Sequence, residues 1–109
     1  MIFAIDFDGT IVDHEFPNIG KLKPDAIRVL KLMQKRGHKI ILWTCRCGTH
    51  LSDAMLVLKG YGIDFDGINC NILDTSGYAV PKIYADVYFD DRSFPPFTDW
   101  LDVEKTFCV

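Results

Sequence analysis

Apolar residues fall along this chain in two rhythms. Four consecutive ones, Ile2 to Ile5, run without a polar break into Asp6, the pattern of a short strand buried on both faces of a sheet. A second run, "HKIILW", ends at Thr44, and a shorter one, "DVYF", leads into Asp90 and Asp91. Between them "GINCN" carries a weaker strand signal. Helical spacing fills the intervals. Ala26, Val29, Leu30 and Met33 follow Pro24, which suits a first helical position, and Gly37 stops that helix. Leu51, Ala54, Met55 and Leu58 repeat the spacing, with Thr49 as the expected cap and "GYG" as the terminator. A loop containing Ser76-Gly77 precedes the last strand.

Strands alternating with helices predict right-handed crossovers and a mainly parallel sheet: a three-layer, doubly wound α/β fold with helices on both faces. The 109 residues form one domain, 1–109, with no repeat, low-complexity tract or linker. Ligands of such sheets bind outside the carboxyl ends of the strands, where strand order reverses. Asp6 and Asp8 follow the first strand, Thr44 the second, and Asp90 and Asp91 the last. All fall at one edge of the predicted sheet.

Carboxylates gathered at one edge repel each other unless a cation sits among them. Mg2+ fits, because it takes oxygen ligands and keeps places for water and substrate phosphate. It also eases the approach of an anionic carboxylate to an anionic phosphate ester. An aspartate can attack phosphorus through an aspartyl-phosphate, and a second one on the same face can protonate the leaving oxygen and then activate water. Gly9 lets the backbone turn tightly enough to aim amides at an anion. The rival reading of "DG" is a simple hairpin turn.

These residues resemble the haloacid dehalogenase (HAD) superfamily of phosphohydrolases. "DFDGT" after an apolar strand is similar to its first motif, Thr44 to its second, Lys82 to the lysine of its third, and "YFDD" to its acidic fourth. The four occur in the family's order over residues 6 to 91. The resemblance implies a Rossmann-like HAD core with Asp6 as nucleophile and metal ligand and Asp8 as general acid/base. It also implies the Asp8 main-chain carbonyl on the metal, and Thr44 and Lys82 on the phosphoryl group. Asp90 becomes a direct metal ligand, with Asp91 binding through water or holding Lys82. Lys82 stands closer to the acidic pair than the family pattern often has it, and Lys59 is the other lysine between Thr44 and Asp90.

"TCR" places Arg46 either at the phosphate or leaving group, as a substrate-binding residue, or in a surface salt bridge. His14 and His50 read as ordinary loop and helix-start residues near the cleft, and Trp43, Phe94, Phe97 and Trp100 as packing residues. There is no room for a folded cap domain, so the site is expected to be open, with the loop from Ile11 to Leu22 as its flap. That admits a phosphorylated small molecule or the phosphorylated end of a macromolecule, or closure by a second copy in a homo-oligomer.

The remaining composition narrows partners. The net charge is −3, with no basic run to follow a nucleic-acid backbone. Cys45, Cys47, Cys70 and Cys108 lack metal or disulfide-scaffold spacing, so reduced thiols and a cytoplasmic location are expected. Neither a membrane helix nor a cleavable leader is expected. The reading is a capless, magnesium-dependent phosphohydrolase. Two alternatives are a receiver-like phosphoacceptor domain, whose aspartate would follow a middle strand, and a non-catalytic binding domain on the same fold.

Overall fold

A computed structural model describes residues 1–72 and 81–109. The Ser76-Gly77 loop expected from the sequence lies outside the described residues. Four parallel strands, β1 (Ile2–Ile5), β2 (Lys39–Leu42), β3 (Gly67–Ile68) and β4 (Val87–Phe89), lie in the order β3-β2-β1-β4. Three helices accompany them: α1 (Ala26–Lys35), α2 (Gly48–Gly60) and α3 (Trp100–Phe107). The winding steps from β1 to β2 to β3 on one side, then returns to place β4 against the other edge of β1. Strand order therefore reverses between β1 and β4, which is the crevice position for a ligand.

Register explains the continuous apolar runs. Phe3, Ile5, Ile40 and Leu42 enter one core, while Ala4 and Ile41 enter a second on the opposite face. Both faces of the central strands are thus dry. The fold differs from expectation in one respect: among the described residues, the buried side chains of all three helices join the first core. Two successive right-handed crossovers in the same direction put α1 and α2 on the same face. The opposite face is covered instead by irregular segments carrying Ile72, Ile83 and Ala85.

Helix boundaries shift slightly. α1 begins at Ala26, because Asp25 takes a left-handed conformation (φ 64°) at the N-cap. α2 is preceded by Cys47 with no side-chain cap, so Thr49 lies inside the helix rather than capping it. Met55, expected inward, is 38% exposed, and only Ala54 and Leu58 of α2 are fully buried. α3 has no counterpart in the sequence reading. Its N-cap Asp99 accepts a hydrogen bond from Asp102 N (2.9 Å), and Trp100 and Val103 bury against the core. Arg28 of α1 clasps Glu104 of α3 through two hydrogen bonds of 2.7 and 3.0 Å. Among the described residues, no helix is long and apolar enough to cross a membrane.

Candidate active site

The first motif bends sharply as it leaves β1. Asp6 N still donates to Phe89 O of β4 (2.9 Å), so the strand pairing carries Asp6 into the crevice. The N–H groups of Ile11 and Val12 then fold back onto Phe7 O (2.9 and 3.2 Å), closing a tight loop. Gly9 holds φ +89°, and a Cβ there would stand 2.2 Å from Asp91 Oδ2. Glycine is required here on two counts, the left-handed backbone and the close approach of a carboxylate. The rival reading of "DG" as a simple hairpin turn does not account for that second contact.

Asp6, Asp90 and Asp91 each offer a carboxylate oxygen, and these three atoms lie within 4.8 Å of one another. Burial, then the Asp90 charge and the hydrogen bond with Asp91, push the Asp6 carboxyl up to about 7, against a backbone N–H of Phe7 that works the other way. Thr10 Oγ1 donates to Asp6 Oδ2 (3.2 Å), and Trp100 Nε1 of α3 donates to Thr10 O (2.9 Å). Thr10 is fully buried and completes a strut behind Asp6. Its signal in the sequence is the last letter of "DFDGT". Asp90 is pinned through its main-chain oxygen, which accepts from Ser93 Oγ (2.8 Å) and Phe97 N (2.9 Å). Its Oδ1 accepts from Arg92 N (2.9 Å).

Thr44 reaches the same edge from β2. Its backbone N–H donates to Asn69 Oδ1 (2.8 Å), and its hydroxyl accepts from Arg46 N (3.1 Å). Asn69 adopts φ 52° to do this, a conformation that asparagine tolerates. Asp6, Asp8, Thr44, Asp90 and Asp91, with His14, Phe16, Cys45, Arg46 and Arg92, line one cleft of about 310 Å³. That is room for a phosphate and a modest leaving group.

Two predicted residues stand differently from expectation. Arg46 does not form a surface salt bridge: its side chain is 1% exposed and pairs with Asp8 at 2.7 Å. Lys82 is exposed and is not among the residues lining the cleft; its main-chain carbonyl accepts from Asn71 Nδ2 (3.4 Å). Lys59 borders a separate apolar groove with Met55 and Ile63, near the far end of α2. Arg92, for which the sequence suggests no role, is an exposed cation at the cleft. His14 lines the cleft, whereas the His50 ring packs edge-on against Phe16 at 5.2 Å. Of the aromatic residues expected to pack, Trp100 is buried and Phe97 partly so, but Phe94 is fully exposed on the loop between β4 and α3.

A model of haloacid dehalogenase-like hydrolases matches residues 3–96. The chain belongs to the HAD-like hydrolases. A conserved protein from Bacteroides thetaiotaomicron has the same fold at a TM-score of 0.90 and 36% identity, over 96% of this chain and 87% of that one. No curated protein matches the sequence. Among the described residues the HAD-like core carries no cap, and the segment from Thr10 to α1 is pinned by a Val12–Leu22 bridge. The acidic group at the β1/β4 crevice is where a metal of this hydrolase family would sit.

Proposed function

We propose that this HAD-like hydrolase is a magnesium-dependent phosphomonoesterase working through an aspartyl-phosphate on Asp6. The observation that carries this reading is the convergence of Asp6, Asp90 and Asp91 oxygens within 4.8 Å, at the switch point of the sheet and in one cleft with Asp8 and Thr44. Three carboxylates that close, one of them pushed up to about 7, form an all-oxygen donor set lacking only a positive charge. Such a set suits Mg2+, with the Asp8 main-chain carbonyl adding a neutral oxygen. When bound, the ion supplies charge that offsets the phosphoryl oxygens and the carboxylates together.

The chain's own groups then divide the chemistry. An Asp6 oxygen attacks phosphorus, the ester P–O bond breaks, and the leaving oxygen takes a proton from the Asp8 carboxyl and departs as an alcohol. Water next attacks the phosphorus of the aspartyl-phosphate and gives its proton to Asp8, while the P–O bond to Asp6 breaks and returns its electron pair to the carboxylate. Phosphate leaves, and Asp8 is again protonated. The Thr44 hydroxyl and the Arg92 guanidinium orient phosphoryl oxygens. Lys82 can share that role only if its side chain reaches in from its exposed position.

Release of phosphate from an aryl phosphate, measured with Mg2+, with a chelator, and for Asp6→Asn, tests the reading. Expected are hydrolysis with Mg2+, none with the chelator, and a loss of roughly 1,000-fold or more in the variant. Hydrolysis that persists in Asp6→Asn overturns it.

A further inference from the structure

The guanidinium of Arg46 is buried beside the cleft with every N–H committed. Nε and Nη2 donate side-on to Asp8 Oδ2 and Oδ1 (2.7 and 2.8 Å). Nη2 also donates to Asn18 O (3.0 Å), and Nη1 to the carbonyls of Pro17 and His50 (3.3 Å each). Its carbon lies 5.2 Å from the ring centre of Phe7 and 5.1 Å from that of Phe16. A guanidinium has five N–H donors and no acceptor, so this one has nothing left to offer a phosphate. Three separate pieces of chain meet on it: Asp8 after β1, the flap at Phe16–Asn18, and the first turn of α2.

We propose that Arg46 is a positioning residue, which ties the Asp8 carboxylate to the flap and to α2 and thereby fixes where the acid/base group points, and that it does not bind the phosphoryl group. The inference rests on the reading of Asp8 as acid/base. A carboxylate offers about four lone-pair directions. Arg46 fills two of them, and the others remain on the side of Asp8 that lines the cleft. The proton cycle runs on that free side: Asp8 takes a proton from the attacking water and hands it to the next leaving oxygen, while Arg46 keeps all its own. A planar fork is needed for the side-on hold. Lysine, a single point of charge, cannot reproduce it.

The test compares Arg46→Lys and Arg46→Gln with the parent chain, each assayed with Mg2+ below its own melting temperature, on an alkyl phosphate and on dinitrophenyl phosphate. Gln serves as the second variant should Lys fail to fold. Misaiming the proton donor is expected to lower kcat on the alkyl phosphate roughly 100-fold, with KM and the inhibition constant of inorganic phosphate unchanged. In the first-turnover burst of dinitrophenolate from dinitrophenyl phosphate, whose leaving phenolate departs without a proton and before the water step that also uses Asp8, the loss should be much smaller. Raised KM and weaker phosphate inhibition with kcat retained would show a phosphate ligand and overturn the proposal. An equal loss in that burst and in alkyl phosphate turnover, tracking only a lowered melting temperature, would show a purely structural role and overturn it too. Hydrolysis by the parent that Asp6→Asn abolishes keeps the phosphatase reading in every one of these cases.

Discussion

Two aspartates of one motif, a single residue apart, sit in opposite electrostatic settings. Asp8 has its counter-charge built in, as Arg46 reaches it from 38 positions along the chain and meets both of its oxygens. Asp6 faces Asp90 and Asp91, and its carboxyl is pushed up to about 7 by burial and by those neighbours. On the β2 side of the cleft the fold balances its own charge. On the β4 side three carboxylate oxygens stand within 4.8 Å of one another, and this asymmetry separates a group held still from a group held under repulsion.

The largest effect should come from breaking the balanced side. Asp8→Asn leaves the buried Arg46 charge half-answered, and removing one partner of such a pair costs about 3 kcal/mol. For a domain of this size that lowers the melting temperature by roughly 10 °C or more. Asp6→Asn should move the opposite way, raising the melting temperature of the metal-free chain near pH 8 by a few degrees. Thermal melts of the two variants would refute the contrast if both shifted in the same direction.

Titration sharpens it further. The Asp6 carboxyl, at 3.8 when free of its surroundings and about 7 when folded, binds its proton more tightly in the native state. Its contribution to stability is therefore complete below about pH 4 and lost as pH rises through about 7. The metal-free parent should lose melting temperature across that window relative to Asp6→Asn, and millimolar Mg2+ should remove the difference at neutral pH. A slope identical in parent and variant would contradict it.

The smallest effect concerns the cations at the rim. Arg92→Ala is expected to raise KM several-fold with little change in kcat, since Arg92 is exposed at the rim of the cleft, where its charge is screened by water. Lys82→Ala distinguishes two cases: a fall in kcat puts its ammonium at the phosphate, and an unchanged rate leaves Arg92 as the cation that serves there.

Those contrasts were only partly legible in the sequence. β1 and β2 are legible because strands dry on both faces read as unbroken apolar runs, and β4 because Val87, Tyr88 and Phe89 form a short apolar run although Tyr88 is exposed; the acids follow directly from where those runs stop. β3, two residues pairing with β2 alone, leaves almost no trace. α3 is hard to read although Asp99, Trp100, Val103 and Phe107 carry a cap and a helical stripe, because eight residues after a proline-rich aromatic stretch give little periodicity to count. The partner of Asp8 was beyond reach in a different way. Nothing local in "TCR" says whether a guanidinium turns outward to an anion or inward beneath a loop; that depends on how β1 and β2 register and where the flap lies.

The strut from Trp100 through Thr10 to Asp6 joins the turn after β1 to a helix made much later in translation. A growing chain carries Asp6 without this brace until about ninety further peptide bonds have formed. The final posture of that carboxyl is thereby deferred until α3 has emerged.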